Sequence, residues 1–528
     1  MQPECIPFSS IPHQSRLFTD FLHHFDQVQT FYARPPQLSS WFADELKRIS
    51  TPPERRNAVA NVLERINRGF GAGAKTLENI ERLRKGAPVV VTGQQVALFG
   101  GPLFSMLKVF SVAMLAERAN AVPVFWLATE DHDLQEVNFA QFPTAEGLKT
   151  LRIEPIHPEG APVGTIAFPE EINGLLEELE ELFGNSEILD LMRSSYRPGI
   201  TFGNAFGKLF TDLFSRFGLV LLDPSDPELH RIAAPIYREA LVRSKEINEA
   251  LRQRDEELES AGYHAQVKVT PSHTLCFYID QGSRIPVRHD GQDFVAGELR
   301  FSQEKLIAEA EEHPERFSAN VLLRPIMQDY LLPTLCYAGG PAEISYFAQV
   351  AAVYQKLLGR VTPVVSRTFA TLVEARQAKL LDRYQLTIPD IFRGPEKLRE
   401  FVASRALPEG IMKSFDIAGD HLEQALAAIA GPLKQLDATL ADAAENAGSK
   451  MRYQLQSLRD KAARAESRKN TETQHHADEL STWLYPNKNL QEREITGVYF
   501  LLKHGIGLLQ TLQEKLSPIC PDHQVVLL

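Results

Sequence analysis

The sequence predicts an α/β protein: a parallel sheet with helices on both faces, interrupted by insertions and followed by a long helical tail. Short apolar runs without polar alternation recur near residues 88, 122, 218 and 361, and helical patterns separate them. Strands buried on both faces need such continuous apolar runs, and parallel strands need helical crossovers. The alternation therefore indicates a doubly wound sheet.

The same patterns divide the chain into three parts. Residues 1–87 are predicted to be helical, because apolar residues recur three and four positions apart, and to precede the core. The sheet core is expected over 88–388, with insertions near 140–205 and 262–320. Residues 389–528 are expected to form a helical domain whose C-terminal segment packs back on the core.

The helical tail carries a long apolar stripe. Between Leu422 and Ala465, apolar residues follow one another at spacings of three and four, with a mean near 3.6. This predicts one nearly straight helix, kinked or interrupted at Gly431-Pro432. Such a stripe needs a partner, either a returning helix or a second subunit, and we favour a homodimer.

Charge and hydropathy restrict the possible partners. The chain has 56 Lys+Arg against 68 Asp+Glu, a net charge of −12, and 44% hydrophobic residues. An acidic chain disfavours nucleic acid, because phosphate binding needs a basic surface. The exception is a basic stretch in the tail, made by Arg452, Arg459, Lys461, Arg464, Arg468 and Lys469. No apolar run reaches 18 residues, so no membrane span is expected.

Four cysteines, Cys5, Cys276, Cys336 and Cys520, are scattered without CxxC spacing. This distribution argues against zinc ribbons and secreted disulfide scaffolds. The N-terminus also lacks the basic and apolar regions of a signal peptide. We therefore expect unpaired cysteines and a cytoplasmic protein.

The loop after the first strand is the first candidate ligand site. Thr92-Gly93-Gln94-Gln95 follow the strand, Gly100-Gly101 precede the next helix, and Lys108 lies within that helix. Ligands of open α/β sheets lie at the carboxyl ends of strands, where glycines let backbone N–H groups approach a phosphate or carboxylate. A tight structural turn explains the same residues. A second glycine-rich segment, 69–76, follows a helical pattern rather than a strand, so an interhelical hinge is predicted.

The loop after the second strand is the candidate catalytic site. Glu130-Asp131-His132-Asp133 come directly after an apolar run, and Asn138 follows. A carboxylate beside His132 could fix its tautomer for general-base work, so His132, Asp131 and Asp133 are the predicted catalytic residues. The cluster could equally ligate zinc or magnesium or cap a helix, and no metal ligand is assigned.

Further polar residues stand within largely apolar stretches. Buried polar groups need partners, so they bind either one another or a ligand. These candidates for substrate or nucleotide binding are Tyr263, His264, Gln266, Arg324, Gln328, Gly340, Glu343 and Arg367.

Six segments together carry a family resemblance. They are TGQQVALFGGPLFSMLK (92–108), VPVFWLATEDHDLQEVN (122–138), GLVLLDPSDPEL (218–229), AGYHAQV (261–267), HPERFSANVLLRPIMQDYLLPTLCYAGGPAEISYFAQ (313–349) and LYPNKNLQER (484–493). Their sequences and order resemble the bacillithiol synthase family, BshC. These are the cysteine ligases proposed to join cysteine to glucosaminyl-malate in the last step of bacillithiol biosynthesis.

The resemblance implies a Rossmann-like core with connective-peptide insertions and a C-terminal α-helical coiled coil that mediates dimerisation. It implies ATP or ADP as the activating nucleotide, and cysteine and glucosaminyl-malate as substrates. The architecture is also similar to class I aminoacyl-tRNA synthetases, although their HIGH and KMSKS motifs are absent. Thr92–Gln95 stands where the first motif would be, and Ser366-Arg367-Thr368 lies near the second. A synthetase-like nucleotide- or tRNA-binding protein and a non-catalytic coiled-coil adaptor remain as alternatives.

Overall fold

The computed structural model describes residues 4–437, 439–467 and 471–528. They form two compact units. The core unit contains the chain up to residue 142, residues 149–370 and residues 492–526. The helical unit contains residues 143–148, 371–491 and 527–528.

Helices and strands alternate along most of the chain. The strands are β1 (Glu4–Ile6), β2 (Val89–Gln94), β3 (Val122–Leu127), β4 (Phe139–Thr144), β5 (Gly147–Arg152), β6 (Val220–Leu222), β7 (His273–Asp280), β8 (Ser283–Asp290), β9 (Asp293–Ala296), β10 (Leu299–Phe301), β11 (Phe317–Ala319), β12 (Thr334–Gly339), β13 (Val364–Ser366), β14 (Phe369–Val373) and β15 (His523–Leu527). The helices as far as the end of the parallel sheet are α1 (Arg16–His23), α2 (Phe25–Val28), α3 (Phe42–Leu46), α4 (Pro53–Phe70), α5 (Ala74–Arg84), α6 (Leu103–Ala119), α7 (Ile172–Phe183), α8 (Glu187–Ser195), α9 (Phe202–Phe214), α10 (Pro227–Val242), α11 (Ser244–Ser260), α12 (Gln303–Glu312), α13 (Arg324–Leu331) and α14 (Pro341–Leu357). The later helices are α15 (Ala375–Arg383), α16 (Ile388–Ile391), α17 (Pro395–Arg405), α18 (Glu409–Leu436), α19 (Thr439–Ser467), α20 (Thr471–Leu484), α21 (Gln491–Glu494), α22 (Gly497–His504) and α23 (Leu508–Lys515).

A five-stranded parallel sheet forms the centre of the core unit, in the order β13-β12-β2-β3-β6. The strands predicted near 88, 122, 218 and 361 are confirmed as β2, β3, β6 and β13. Strand β12, which lies beside β2 in the middle of the sheet, was not predicted. Its buried sequence TLCYAG is too short and too weakly patterned to distinguish a strand from the neighbouring helices. All five carboxyl ends lie on one edge of the sheet.

Two insertions interrupt the alternation of parallel strands and helices. The first contains the β4–β5 hairpin and helices α7 and α8. The second contains a five-stranded antiparallel sheet in the order β10-β9-β8-β7-β11. Strand β11 leads directly toward α13 and the parallel sheet, so this insertion lies close to the strand ends of the core.

The glycine-rich segment 69–76 is the predicted interhelical hinge. Helix α4 ends at Phe70 and is capped by Gly71, whose φ of +90° is the left-handed conformation that glycine adopts without strain. Helix α5 then begins at Ala74. Lys75 Nζ donates to the carbonyl of Arg216 at 2.9 Å, so its ammonium group is used within the fold.

The two ends of the chain meet in the core unit. Strand β1 pairs antiparallel with β15, placing Cys5 opposite Gln524. A disulfide joins Cys5 to Cys520, with 6.6 Å between the Cα atoms. The expectation of four unpaired cysteines is therefore wrong. A sequence separation of 515 residues hid the pairing, while Cys276 and Cys336 are free and buried as expected.

The helical unit begins after Ala370, earlier than the 389 expected from sequence. Helices α15 and α16 pack on α20, which returns from the far end of the unit. Sequence periodicity could not show this packing, because the contacts join segments about a hundred residues apart in the chain.

The long apolar stripe forms two antiparallel helices, α18 and α19, and the prediction of one straight helix is wrong. Arg452 pairs with Glu423 at 2.7 Å and Arg459 with Asp416 at 3.3 Å, which fixes the antiparallel direction. The chain turns at Asp437, whose carboxylate accepts from the backbone and hydroxyl of Thr439. The apolar spacing continues across this turn, so periodicity alone concealed it.

The basic stretch of the tail is partly neutralised by these ion pairs. Arg452 also pairs with Glu445, at 3.0 Å. Arg468 and Lys469 lie outside the described residues. In the described part of the chain, no helix is both long and apolar enough to cross a membrane.

Candidate functional site

Two adjoining cavities lie at the carboxyl ends of the parallel strands. The first, the strand-end cavity, has a volume of about 660 Å³. It is lined by the ends of β2, β3 and β12 and by the first turns of α6 and α14, and its residues include Gly93, Gln94, Gln95, Phe104, Lys108, Glu136, Gln266, Tyr337, Gly340, Glu343, Tyr346, Arg367 and Arg493.

The second, the insertion cavity, has a volume of about 530 Å³. It lies between the end of β3 and the antiparallel sheet, and its residues include Glu130, Asp131, His132, Lys268, His273, Cys276, Phe277, Arg284, Arg288 and Asn320. Trp126, Ala128, Val321 and Arg324 line both cavities, so the two share a wall.

Lys108 is held entirely by protein acceptors. Its ammonium group donates to the carbonyl of Gly93 at 2.6 Å and to Gln94 Oε1 at 3.0 Å, and lies 2.8 Å from Glu343 Oε2. An ammonium has three protons, so no donor remains for a ligand. Burial lowers the pKa of Lys108 to about 8, while the Glu343 carboxylate opposes this shift. The group therefore remains charged at pH 7.

The carboxylate of Glu343 caps the N-terminus of α14, the helix to which Glu343 itself belongs. Its Oε2 accepts from the backbone N–H of Gly340 at 2.7 Å, and Tyr337 donates its hydroxyl to Oε1 at 2.5 Å. Burial raises the pKa of Glu343, but the Lys108 ammonium and the Gly340 N–H outweigh it and hold the value below the ordinary one. The N-terminus of α14 is thus already filled by a carboxylate of the same chain.

Arg324 is the basic group at the junction of the two cavities. It donates to Gln328 Oε1 at 3.2 Å and to the Tyr346 hydroxyl at 3.0 Å. Its guanidinium carbon lies 5.0 Å from the ring centre of Tyr337 and 5.8 Å from that of Trp126. A guanidinium has five N–H donors, so Arg324 keeps donors for an anion while neutral groups fix its position.

Arg367 reaches the strand-end cavity from a buried ion pair. Its Nη2 lies 2.6 Å from Glu492 Oε1, and both side chains are at most 2% exposed. Its Nε is buried without a hydrogen-bond partner among the described residues. Arg493, which follows Glu492, also lines this cavity. With Arg324, these groups leave the cavity suited to an anion.

Glu130 is the most buried carboxylate of the insertion cavity, at 8% exposed. Its Oε1 has no hydrogen-bond partner among the described residues, and His230 Nε2 lies 3.5 Å away. Burial raises the pKa of Glu130 to about 8, although the Arg284 charge opposes the shift. Burial likewise lowers the pKa of His230 to about 4, so this imidazole is neutral at pH 7.

The three predicted catalytic residues have different surroundings. Asp131 accepts from Gln95 Nε2 at 2.7 Å, which joins the loops after β2 and β3. His132 Nδ1 lies 3.2 Å from Arg284 Nη1 and 3.8 Å from Asp131 Oδ1. Asp133 is exposed and lines neither cavity.

The structure brings most of the predicted site residues together. Those that line a cavity are Gly93, Gln94, Gln95, Lys108, Glu130, Asp131, His132, Gln266, Arg324, Gly340, Glu343 and Arg367. The others, besides Asp133, are Thr92, Gly100, Gly101, Asn138, Tyr263, His264 and Gln328.

Residues outside the cavities mostly support the fold. Thr92 donates to the carbonyl of Ala338, and Tyr263 donates to Asp20. Arg152 donates to buried Asn138, and Gln328 orients Arg324. His264 is exposed.

Gly100 and Gly101 form a structural turn rather than a phosphate loop. Both have positive φ, and the Gly101 carbonyl accepts from the Thr496 hydroxyl at 2.9 Å. A Cβ at Gly100 would lie 3.2 Å from the Phe210 ring. The structural alternative for these glycines therefore accounts for their positions.

Sequence reasoning missed Arg284, Arg493 and the aromatic residues Trp126, Tyr337 and Tyr346. Arg284 lies on β8 of the insertion, and Arg493 lies in the C-terminal part of the chain. Nothing in their local sequence relates them to the strand ends. The aromatic residues stand in apolar runs that predict core positions, so their second role was hidden. In the described chain, no group of three or more His, Cys, Asp or Glu side chains could hold a metal ion.

A parallel sheet with a basic crevice at its strand ends and a helical hairpin unit define a Rossmann-like protein with a coiled-coil domain. Residues 1–368 match the family described as bacillithiol biosynthesis BshC, N-terminal Rossmann-like domain. Residues 370–528 match the family described as bacillithiol biosynthesis BshC, C-terminal coiled-coil domain. The chain therefore belongs to the BshC family.

Full-length relatives agree with this assignment. The chain is 45% identical over 534 residues to a protein of Koribacter versatilis and 35% identical over 534 residues to one of Solibacter usitatus, with 100% of each chain covered. It is 28% identical to a protein of Bacillus licheniformis, with 98% of each chain covered. All three relatives carry the name "Putative cysteine ligase BshC".

Proposed function

We propose that this protein is a cysteine ligase that forms an amide between L-cysteine and the amine of glucosaminyl-malate, giving bacillithiol in the last step of its biosynthesis. The observation that carries the proposal is the pair of cavities that share the Arg324 wall. A ligase must hold an activated carboxyl and an amine side by side, since positioning supplies much of the rate. Two adjoining compartments provide that arrangement.

The charge of the cavities fits these substrates. The insertion cavity carries the cations Lys268, Arg284 and Arg288 together with the carboxyl groups of Glu130 and Asp131, which suits a ligand with both an amine and carboxylates. The strand-end cavity carries Arg324, Arg367 and Arg493, and Glu492 pairs with Arg367.

ATP or ADP is the proposed activating nucleotide, and the buried, unpartnered Nε of Arg367 supports the fit. Arg324, Arg367 and Arg493 would hold its phosphates. The nucleotide would supply the free energy for activating the cysteine carboxyl, and the guanidinium groups would stabilise the negative charge that develops there.

The test is a direct assay of the purified protein. Cysteine, glucosaminyl-malate and ATP are supplied together, and mass spectrometry follows the amide product and nucleotide hydrolysis. ADP and the other nucleoside triphosphates replace ATP in parallel reactions, and reactions lacking one substrate are the controls. We expect product only in the complete mixture, whereas no product with any nucleotide would contradict the proposal.

We also propose a homodimer through the coiled coil formed by α18 and α19. Each helix packs on the other, yet Ile417 and Leu458 remain more than half exposed, as do Leu436 and Tyr453. An apolar surface of this kind is unusual on a helix pair with no further partner. Light scattering coupled to gel filtration should give twice the 59.2 kDa chain mass, and a monomer at micromolar concentration would contradict the proposal.

The cytoplasm is the proposed location, because the activating nucleotide is made and used there. Small-molecule substrates, rather than nucleic acid, are the proposed ligands, and the ion pairs of Arg452 and Arg459 support this choice.

A further inference from the structure

We propose that Glu130 is the catalytic base of this site and that the amine acceptor is bound in the insertion cavity with its nitrogen beside that carboxylate. This inference rests on the ligase function proposed above. It goes beyond that function by giving one residue the proton-transfer step and by assigning each reactant to one cavity.

Glu130 is a buried carboxyl group with an unsatisfied oxygen. Its side chain lines the insertion cavity, is nine-tenths buried, and has an Oε1 atom without a hydrogen-bond partner among the described residues. Leaving such an oxygen unpaired costs free energy, so buried carboxylates are normally satisfied. An N–H group of a bound amine would satisfy it. The fold therefore holds an acceptor of the kind that an amine requires.

The groups around Glu130 adjust its basicity. Arg284 from β8 carries positive charge, and Asp223 after β6 carries negative charge. His230 Nε2 lies 3.5 Å from Oε1, while Tyr237 from the same helix α10 and the adjacent Asp131 and His132 complete the surroundings. Burial dominates and raises the pKa of Glu130 to about 8. A general base works best when its pKa is near the working pH, which this position achieves.

The predicted base, His132, is less suitable. A guanidinium can only donate, so Arg284 Nη1 at 3.2 Å makes His132 Nδ1 an acceptor and leaves the ring proton on Nε2. In this tautomer Nδ1 accepts from Arg284 and Nε2 carries the proton, so neither nitrogen offers a free lone pair to the substrate. The side chain is also 41% exposed, whereas the step requires a site from which water is excluded. Because it holds Arg284, His132 is a positioning residue.

The shared wall defines how the reactants meet. Ala128 lies two residues before Glu130 and lines both cavities, as do Trp126 and Arg324. A nitrogen beside Glu130 therefore approaches the wall from the insertion cavity. The activated carboxyl of cysteine approaches from the strand-end cavity, where the guanidinium groups of Arg324 and Arg367 lie.

The reaction joins the amine to activated cysteine and transfers one proton to Glu130. The neutral amine nitrogen forms a bond to the carboxyl carbon of activated cysteine. The bond from that carbon to its leaving oxygen breaks, and the electron pair departs with that oxygen. The proton lost by the nitrogen moves to the carboxylate of Glu130, which releases it to solvent before the next turnover.

The experiment compares the pH profiles of four proteins in the ligase assay. In the wild type, kcat/KM should rise with pH through about 8, because the base must be ionised. Glu130→Gln should lower kcat by on the order of a hundredfold and lose this limb. Glu130→Asp should keep the limb at a lower rate. Glu249→Gln, the same change on the exposed face of α11, should match the wild type.

His132→Ala gives the decisive comparison. It should keep the acid limb and lose less than Glu130→Gln, since it affects only the position of Arg284. If Glu130→Gln retains wild-type rate and pH profile, the inference is overturned while the ligase function stands. If the wild type makes no product with any nucleotide, the ligase proposal fails and this inference with it.

Thermal unfolding gives a readout that does not need turnover. A buried carboxyl whose pKa is raised above the ordinary value keeps its proton in the folded state up to about pH 8, whereas the unfolded chain loses it near pH 4.5. Its contribution to stability is therefore lost as pH rises from 4.5 to 8. The Tm of Glu130→Gln minus that of the wild type should increase over this range, and a constant difference would overturn the environment assigned to Glu130.

Discussion

At the residue scale, the site contains basic groups of two kinds. Lys108 donates all three protons of its ammonium group within the protein, to Gly93, Gln94 and Glu343. Arg324 and Arg367 are anchored through only part of their donors, and both residues line the strand-end cavity. Both kinds lie near strand ends, as the sequence predicted. Sequence could not separate them, because the difference depends on which acceptors a tertiary contact brings within 3 Å.

Loss of Lys108 should therefore affect stability before it affects binding. Lys108→Met leaves the buried Glu343 carboxylate without its cation, and the unfolding free energy should fall by about 3 kcal/mol. The double variant Lys108→Met/Glu343→Gln should lose less, because no uncompensated charge remains. Denaturant unfolding monitored by circular dichroism measures both values.

A matched control lies in the same helix. Arg118, exposed in the last turn of α6, is replaced by Met and should change the unfolding free energy by less than about 0.5 kcal/mol. Additive effects in the double variant would show that Lys108 and Glu343 do not interact, and would contradict the internal role assigned to Lys108.

The loop after β3, which holds Glu130 to Asp133, likewise could be predicted from the sequence only in part. The run Glu130 to Asp133 was correctly placed at the end of an apolar strand, and three of its four residues line the insertion cavity. Which of them is buried depends on β8, β11 and α10, which pack around the loop from other parts of the chain. Arg284 holds this loop against β11 through Ser318 and Ala319, and no local pattern relates these residues.

At the scale of elements, apolar patterns predicted most strands of the sheet and failed at two places. Strand β12 was missed because a short buried run between two helices has no periodicity of its own. The helical hairpin was missed because its turn at Asp437 preserves the spacing of apolar residues on both sides. In both cases the deciding information is a long-range contact: β12 with β2, and α18 with α19.

Two of the hairpin's glycines give a specific prediction. A Cβ at Gly448 of α19 would lie 3.0 Å from Leu426 of α18, whereas one at Gly419 of α18 meets nothing within 4 Å. Gly448→Val should force the helices apart and lower the stability of the helical unit by about 1–3 kcal/mol. Gly419→Ala should raise it by about 0.5–1 kcal/mol, because alanine favours the helix interior.

Thermal melts of the two variants by circular dichroism test this packing. A rise in Tm for Gly419→Ala combined with a fall for Gly448→Val identifies the face of α19 that contacts α18. Equal effects at the two positions would mean that Gly448 does not lie at a close helix contact.

At the scale of the whole molecule, the sequence predicts the order of the domains. It does not predict that the C-terminal segment returns to the core unit. Residues 492–526 return to the core unit, where α22 packs on α6 and Glu492 holds Arg367 of the site. The C-terminal segment thereby contributes directly to the strand-end cavity. The local sequence gives no sign that the chain returns to the core, because the return is stabilised only by contacts between segments far apart in sequence.

The disulfide between Cys5 and Cys520 closes this return covalently, and its loss should destabilise the core unit. Cross-linking residues so distant in sequence restricts the unfolded chain, so Cys5→Ser should lower the unfolding free energy by about 2–4 kcal/mol. The corresponding fall in Tm is roughly 2–5 °C for a unit of this size. Dithiothreitol should lower the Tm of the wild type by the same amount and leave that of Cys5→Ser unchanged, which separates the effect of the bond from that of the substitution. A wild-type Tm that does not respond to reduction would mean that β1 and β15 hold the chain ends together without the bond, through their backbone pairing alone.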